Sequence, residues 1–185
     1  MNNRTFVVGD VHGCYKTLCK LLYDELKIET SDSVYFLGDL IDRGSAVRET
    51  VDEIMKLQKE MICKVVRGNH EQMLLDSVHD ASSLSLWYWN GCEQTLASFG
   101  ITHPSQFEKK YLDFFASFPY YIELEKFILV HGGLNFGNEN PFEDKEYMLW
   151  GRYEQVDTER IGGKRIIAGH TPTPLSQIYR SLNEP

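Results

Sequence analysis

The chain has 185 residues, 42% of them hydrophobic and 25% charged, with a formal net charge of −8. That apolar content supports one buried core, and the length favours a single domain over residues 1–185. The acidic balance excludes a protein that grips long nucleic acid through its phosphates, and the lack of 18 consecutive apolar residues excludes a helical membrane span.

The opening MNNRTFVVGD has an apolar run too short for a secretory leader, and it ends in a carboxylate. Its stretch 5–9 is β-branched and apolar and predicts a buried strand. Residues 14–26 carry Leu18, Leu21, Leu22 and Leu26 at helical spacing. Residues 34–37 read as a second strand, 47–57 as a helix built on Val51, Ile54 and Leu57, 62–66 as a third strand and 70–78 as a third helix. Alternating strands and helices predict an α/β fold: central β-sheets, mixed and largely parallel, made of right-handed βαβ units and flanked by helices. The middle stretch, 79–119, breaks the alternation. It holds Trp87 and Trp89 and a helical pattern over 107–118. It is expected to be a helical insertion, which either covers one edge of a site or serves core packing alone. Residues 120–124 and 127–130 follow as strands joined through Glu125–Lys126, which suggests a hairpin. Residues 132–163 are polar and glycine-rich with little periodicity and are expected to be loop; 165–168 is a last strand. Cys14, Cys19, Cys63 and Cys92 form no C-x-x-C pair and read as reduced thiols of a cytoplasmic protein. The rival reading is a late disulfide or a redox-sensing thiol, with Cys14 the candidate.

The apolar strands end in polar clusters. The first runs into GDVHG with Asp10 and His12, the second into GDLIDRG with Asp39, Asp42 and Arg43, and the third into RGNHE with Arg67, Asn69, His70 and Glu71. Later strands end in VHGG with His131 and in AGHTP with His170. Ligands of open α/β sheets bind at the carboxyl ends of the strands, so the five clusters should meet on one face. Carboxylates and imidazoles suit Mn, Fe, Zn, Ni or similar ions. A two-metal site holds its ions about 3.5–4 Å apart and acidifies a water between them, while arginine grips phosphate with two parallel hydrogen bonds.

In this order, GDVHG, GDLIDRG, GNHE, HGG and GHT resemble the phosphoprotein phosphatase branch of the calcineurin-like metallophosphoesterases, from Phe6 to Thr171. WYWNGCEQTL and LWGR resemble segments of the small bacterial and phage-lambda-type serine/threonine phosphatases. The resemblance implies two divalent ions, with Mn2+ favoured and Fe, Zn, Ni or Mg as alternatives. Asp10 and His12 would hold the first, Asp39 would bridge both, and Asn69, His131 and His170 would complete the second. It implies His70 as general acid, Asp42 as its orienting carboxylate, and Arg43 and Arg152 as phosphate clamps, with Asn69 also facing substrate. A hydroxide bridging the ions would attack phosphorus directly. The implied substrates are phosphorylated proteins, peptides or small phosphoesters; the alternative is a dinucleoside polyphosphate of the diadenosine tetraphosphate type. The few basic residues of the later loops, Lys145, Arg152, Arg160 and Lys164, favour the monoester.

Arg67 reads equally as a family residue or a structural one. Glu71 is expected to cap its helix or steady a neighbour, and His79 and His103 to be surface or packing residues. Cys92 stands where relatives often carry a second glycine, which leaves the local turn open. The chain ends at Pro185, soon after His170, where relatives usually continue into a further strand; SQIYRSLNEP is expected to begin in that direction. An edge strand left uncovered there could pair with a second copy.

Overall fold

The structure, a computed structural model, describes residues 3–152 and 156–183. Among the described residues, six short strands form two three-stranded sheets. In the first, β1 (Thr5–Val8), β2 (Ser33–Phe36) and β3 (Ile62–Val65) run parallel in that order, with Val8 beside Phe36 and Phe36 beside Val65. In the second, β4 (Tyr121–Glu123) pairs antiparallel with β5 (Phe127–Val130), and β5 pairs parallel with β6 (Arg165–Ala168). The two-residue hairpin link closes through Leu124 N–H donating to Phe127 O at 2.8 Å.

The period-2 alternation of the strands explains why there are two sheets. Val7, Tyr35, Leu37 and Val66 from the first meet Ile122, Phe127, Leu129 and Ile167 from the second in a shared apolar layer. The alternate residues point outward. Val34, Phe36 and Val65 pack under helices on one side, and Ile128, Val130 and Ile166 pack against Met148 and Ile161 on the other. Helix α2 (Val47–Glu60) buries Val47, Val51, Ile54 and Leu57 along one stripe, each worth about 1.5–3 kcal/mol of transfer free energy. Helix α1 (Tyr15–Cys19) continues into a wider π-type turn over Lys20–Glu25. Helix α3 (Asn69–Ser77) starts almost directly at the end of β3.

Residues 79–119 hold helical elements only: α4 (Ala81–Trp89), α5 (Glu93–Phe99), a short 3-10 turn and α6 (Lys109–Ala116). Two expectations are corrected. The stretch expected to be loop contains α7 (Lys145–Trp150), capped by the Asp144 carboxylate accepting from Tyr147 N–H at 2.9 Å, and a 3-10 turn at Glu159–Ile161. The segment expected to head into a strand is instead helix α8 (Leu175–Asn183). Strand β6 is the last of its sheet among the described residues, and the chain end at Pro185 lies outside them. Among the described residues no helix is long and apolar enough to cross a membrane.

Candidate active site

The clusters after β1, β2, β3, β5 and β6 turn sharply at the strand ends. Among the described residues, the non-glycine positions with positive φ are His12, Lys27, Asp39, Asp42, Arg43 and His170. All but Lys27 were picked out from the sequence as site residues. Left-handed backbone is costly for an L-residue and persists where the surrounding structure imposes it. Part of that imposition is the contact between Gly38 and Gly68. A Cβ on Gly38 would lie 2.5 Å from Gly68 N, and one on Gly68 would lie 2.2 Å from Asp39 Oδ1, so only glycines let the ends of β2 and β3 approach this closely.

Asp39 is the hub. Its Oδ1 accepts from His70 N–H at the start of α3 at 3.1 Å. Its Oδ2 faces three imidazoles: His131 Nε2 at 3.3 Å, His12 Nε2 at 3.7 Å and His70 Nε2 at 3.9 Å. Ligand atoms of His12, Asp39 and His70, and of Asp39, His131 and His170, cluster within 4.8 Å of one another, so Asp39 belongs to both triads.

The ring tautomers follow from the partners. His131 Nδ1 lies 2.7 Å from Leu37 O, and His12 Nδ1 lies 2.7 Å from Ile41 O. A carbonyl can only accept, so Nδ1 carries the proton and, in the neutral ring, Nε2 holds the lone pair. That lone pair on His131 faces Asn69 Oδ1 at 2.8 Å, and His170 Nδ1 faces the same oxygen at 3.1 Å. These contacts are satisfied by a proton on a ring nitrogen, by the amide turned to present its NH2, or by a cation that takes the oxygen and the ring nitrogens as ligands. The donor set of carboxylate, amide oxygen and imidazole fits divalent ions without any thiolate.

The electrostatics agree. Burial opposes the Asp39 carboxylate, yet His131, His70 and His12 hold it well below the usual range. Burial likewise opposes the His131 cation, but the hydrogen bond and charge of Asp39, helped by Asp10, lift it to about 9. His12 and His170 are pushed down, mainly by burial.

His70 is 1% exposed, and its Nδ1 donates to Asp42 Oδ2 at 2.6 Å. Burial disfavours its imidazolium, but that hydrogen bond and the charges of Asp39 and Asp42 raise its proton affinity. Arg43 spans two rings, with Nη1 2.8 Å from His12 Nε2 and Nη2 3.0 Å from His70 Nε2. Glu71, fully buried, accepts from the backbone N–H of Leu40, Asp39 and Gly68 at 2.8, 2.9 and 3.0 Å. It thus caps its own helix and steadies the Asp39 turn. Burial and the charge of Asp39 push its carboxyl up to about 7.

The remaining candidates lie at the rim. Asp10 is exposed, and its Oδ1 accepts from His170 N–H at 3.1 Å; its carboxylate belongs to neither triad. Arg152 is exposed, and its charge acts on His170. Arg67 is occupied structurally: it donates to Ala116 O and Gln72 Oε1 and stacks over Tyr120. His79 and His103 are exposed, and His103 caps its 3-10 turn. Cys92 has φ −66 and ψ −18, a helical conformation open to any residue, and is fully buried. The turn needs glycine only at Gly91, where φ is +95. Sequence reasoning missed three neighbours of the site. Trp87 and Thr95 hydrogen-bond Asp42, and Trp150 meets the His170 ring edge-on at 5.8 Å between centroids. The strings WYWNGCEQTL and LWGR drew attention to these segments but not to the contacts.

A model of the family described as calcineurin-like phosphoesterase matches residues 4–185. The chain is 30% identical to serine/threonine-protein phosphatase 2 of Salmonella typhimurium, over 94% of this chain and 84% of that protein. It is 41% identical to serine/threonine-protein phosphatase 1 of the same organism over a shorter stretch, 46% of this chain and 38% of that protein. It is 26% identical to the asymmetrical bis(5'-nucleosyl)-tetraphosphatase PrpE of a Geobacillus species, over 96% of this chain and 82% of that protein. A solved serine/threonine phosphatase from Saccharomyces cerevisiae has the same fold, with a TM-score of 0.63 at 18% identity over 92% of this chain and 65% of that one.

Proposed function

Because the chain belongs to the calcineurin-like phosphoesterase family, we propose that it is a metal-dependent phosphomonoesterase that acts on phosphoserine and phosphothreonine in proteins. Asp10, His12 and Asp39 would hold one divalent ion, and Asp39, Asn69, His131 and His170 the other, with Mn2+ the preferred metal. When bound, such a pair supplies an acidified water and neutralises phosphate charge. The chain's own residues do the rest. Arg43 and Arg152 bind the phosphate oxygens. Asp42 keeps the Nδ1 proton of His70 in place, and His70, once protonated at Nε2 from solvent after Arg43 has turned to the phosphate, would pass that proton to the departing serine or threonine oxygen. Arg43 bridges the Nε2 atoms of His12 and His70. A phosphate seated between those rings would draw the guanidinium from ring nitrogens to oxygens.

The observation that carries this reading is the convergence of three imidazole nitrogens on Asp39 Oδ2 within 3.3–3.9 Å. Metal analysis of protein prepared without chelator, followed by turnover of a phosphoserine peptide with Mn2+, tests it. Bound metal and peptide turnover are expected; metal-free, inactive protein under every divalent ion would overturn it.

A second reading, hydrolysis of a dinucleoside polyphosphate, is favoured by the similarity to the Geobacillus tetraphosphatase. The placement of the later basic residues weighs against it. Lys164 pairs with Glu123, Arg160 donates to the carbonyls of Phe136 and Glu139, and Lys145 lies over the Tyr120 ring. That leaves Arg152 as the basic residue of these loops placed to meet a long chain of phosphates. A large preference for diadenosine tetraphosphate over phosphopeptide would reverse the choice.

A further inference from the structure

We propose that Trp87 and Thr95, both from the helical insertion, are positioning residues that fix the Asp42 carboxylate and through it the orientation of His70. The inference rests on His70 being the general acid, as assigned under the proposed function.

Asp42 is fully buried and sits in a left-handed turn at φ +69. Three donors converge on its two oxygens. Trp87 Nε1–H reaches Oδ2 at 2.7 Å, His70 Nδ1–H reaches Oδ2 at 2.6 Å, and Thr95 Oγ1–H reaches Oδ1 at 2.5 Å. Thr95 Oγ1 also accepts from Asp42 N–H at 2.9 Å, so one hydroxyl holds both the backbone and the side chain of this residue. The same insertion supplies Gly91 O to Arg43 N–H at 3.2 Å. Trp87 and Thr95 are themselves fully buried.

A bland account would treat Trp87 as core filling whose N–H found an acceptor. Filling the space does not require an indole, since phenylalanine or leucine would pack there with no polar atom to satisfy. An indole N–H can only donate, so it holds Oδ2 as an acceptor in every state. With Oδ1 held by Thr95, the carboxylate cannot rotate about its own axis. The Nδ1–H of His70 then has one direction, and its Nε2 stays aimed at the region that Arg43 and Asp39 border. The insertion thereby reaches the chemistry through a carboxylate without touching substrate.

The test compares Mn2+-loaded wild type with Trp87→Phe, Thr95→Val, Thr95→Ser and His70→Asn on two substrates. A phosphoserine peptide has a leaving group that needs a proton, whereas p-nitrophenyl phosphate has one that leaves as the anion. Trp87→Phe is expected to lower kcat on the peptide about tenfold, as fits one lost hydrogen bond to a charged group, and Thr95→Val, which also leaves Asp42 N–H unpaired, by at least about as much. KM and metal content should stay close to wild type, and the loss on p-nitrophenyl phosphate should be clearly smaller. Thr95→Ser should recover most of what Thr95→Val loses. Equal losses on both substrates, or wild-type peptide turnover in both Trp87→Phe and Thr95→Val, would overturn the inference. If Trp87→Phe does not fold, the Thr95→Val and Thr95→Ser pair decides by the same criteria. His70→Asn separates the two levels. If it shows no preference for the activated ester, the acid assignment itself fails; if it does while the Trp87 and Thr95 variants do not, only the positioning role fails.

Discussion

On one side of Asp39, Asp42, Asn69, His70, Glu71 and His131 are each 0–2% exposed, and every one is tied to backbone or to another site residue. On the other, Asp10, Arg43 and Arg152 are exposed, and His12 and His170 are only partly buried. The enclosed side carries groups whose direction the proposed reaction needs to keep: the carboxylate shared between triads and the imidazole proposed to move a proton. In a medium of low dielectric their interactions are stronger, and an unpaired group there is costly. The open side carries the groups proposed to meet an incoming ligand, which such a role would not allow to be walled off. Enclosure should therefore divide the consequences of mutation, with chemistry and stability lost on one side and affinity lost on the other.

The largest effect is expected at Asp39→Asn. Asparagine tolerates the left-handed backbone at φ +51, so the substitution removes charge without adding backbone strain. Metal content and turnover should fall together, and the activity of this variant should be no lower after chelator treatment. A variant that kept its metal would remove Asp39 from the centre of the comparison. Next comes His70→Asn, where general-acid loss costs about 100–10,000-fold in turnover. Metal content should hold, because neither ion of the proposed pair takes a ligand from His70, whose Nε2 is assigned to proton transfer. If metal were lost as well, the membership of His70 in the His12–Asp39 cluster would outweigh the acid role.

Glu71→Gln asks whether enclosure governs stability as well as chemistry. Three backbone N–H groups point at the two carboxylate oxygens. Glutamine offers one acceptor oxygen and turns an NH2 group towards the other donors. Leaving buried donors unpaired in this way costs about 2–4 kcal/mol. In a chain of this size that lowers Tm by about 4–16 °C. The measurement belongs above pH 8, where Glu71, raised to about 7 by burial and Asp39, is ionised. An unchanged Tm would mean that the Asp39 turn holds without its brace.

How much of this was legible in the sequence follows the same division. The strands announced themselves because β2 and β5 are buried on both faces, as in Val34 and Tyr35 or Ile128 and Leu129, so they read as unbroken apolar runs. The motif residues were legible because they fall where such runs end. Helix α7 was not. Its six residues hold Tyr147, Met148 and Leu149 side by side, too short a pattern for a helical period, and the Asp144 cap and packing under β5 settle its form. Helix α8 did carry a signal, with Leu175, Ile178, Tyr179 and Leu182 at helical spacing, but the expected continuation into a strand displaced it. The braces on Asp42 were out of reach, since Trp87 and Thr95 lie 45 and 53 residues away and no local pattern reports which carboxylate an indole will meet.

The smallest expected effect, Arg152→Ala, tests the open side. Arg152 follows α7 and Gly151, and its carbonyl accepts from the Tyr147 hydroxyl at 3.3 Å. Its side chain is exposed, and its charge is felt at His170. An exposed cation contributes little to folding, so Tm should move by no more than about 2 °C, within the usual range for surface substitutions. If it is the proposed phosphate contact, however, its loss should raise KM for a phosphopeptide about three- to tenfold. Arg43 provides the contrast. It is equally exposed but touches the Nε2 atoms of both His12 and His70, so Arg43→Ala should lower kcat as well as raise KM. If Arg152→Ala instead lowered kcat at constant KM, its charge would matter to the reacting groups through His170 rather than to the arriving phosphate. The rim would then not be the affinity half of the site.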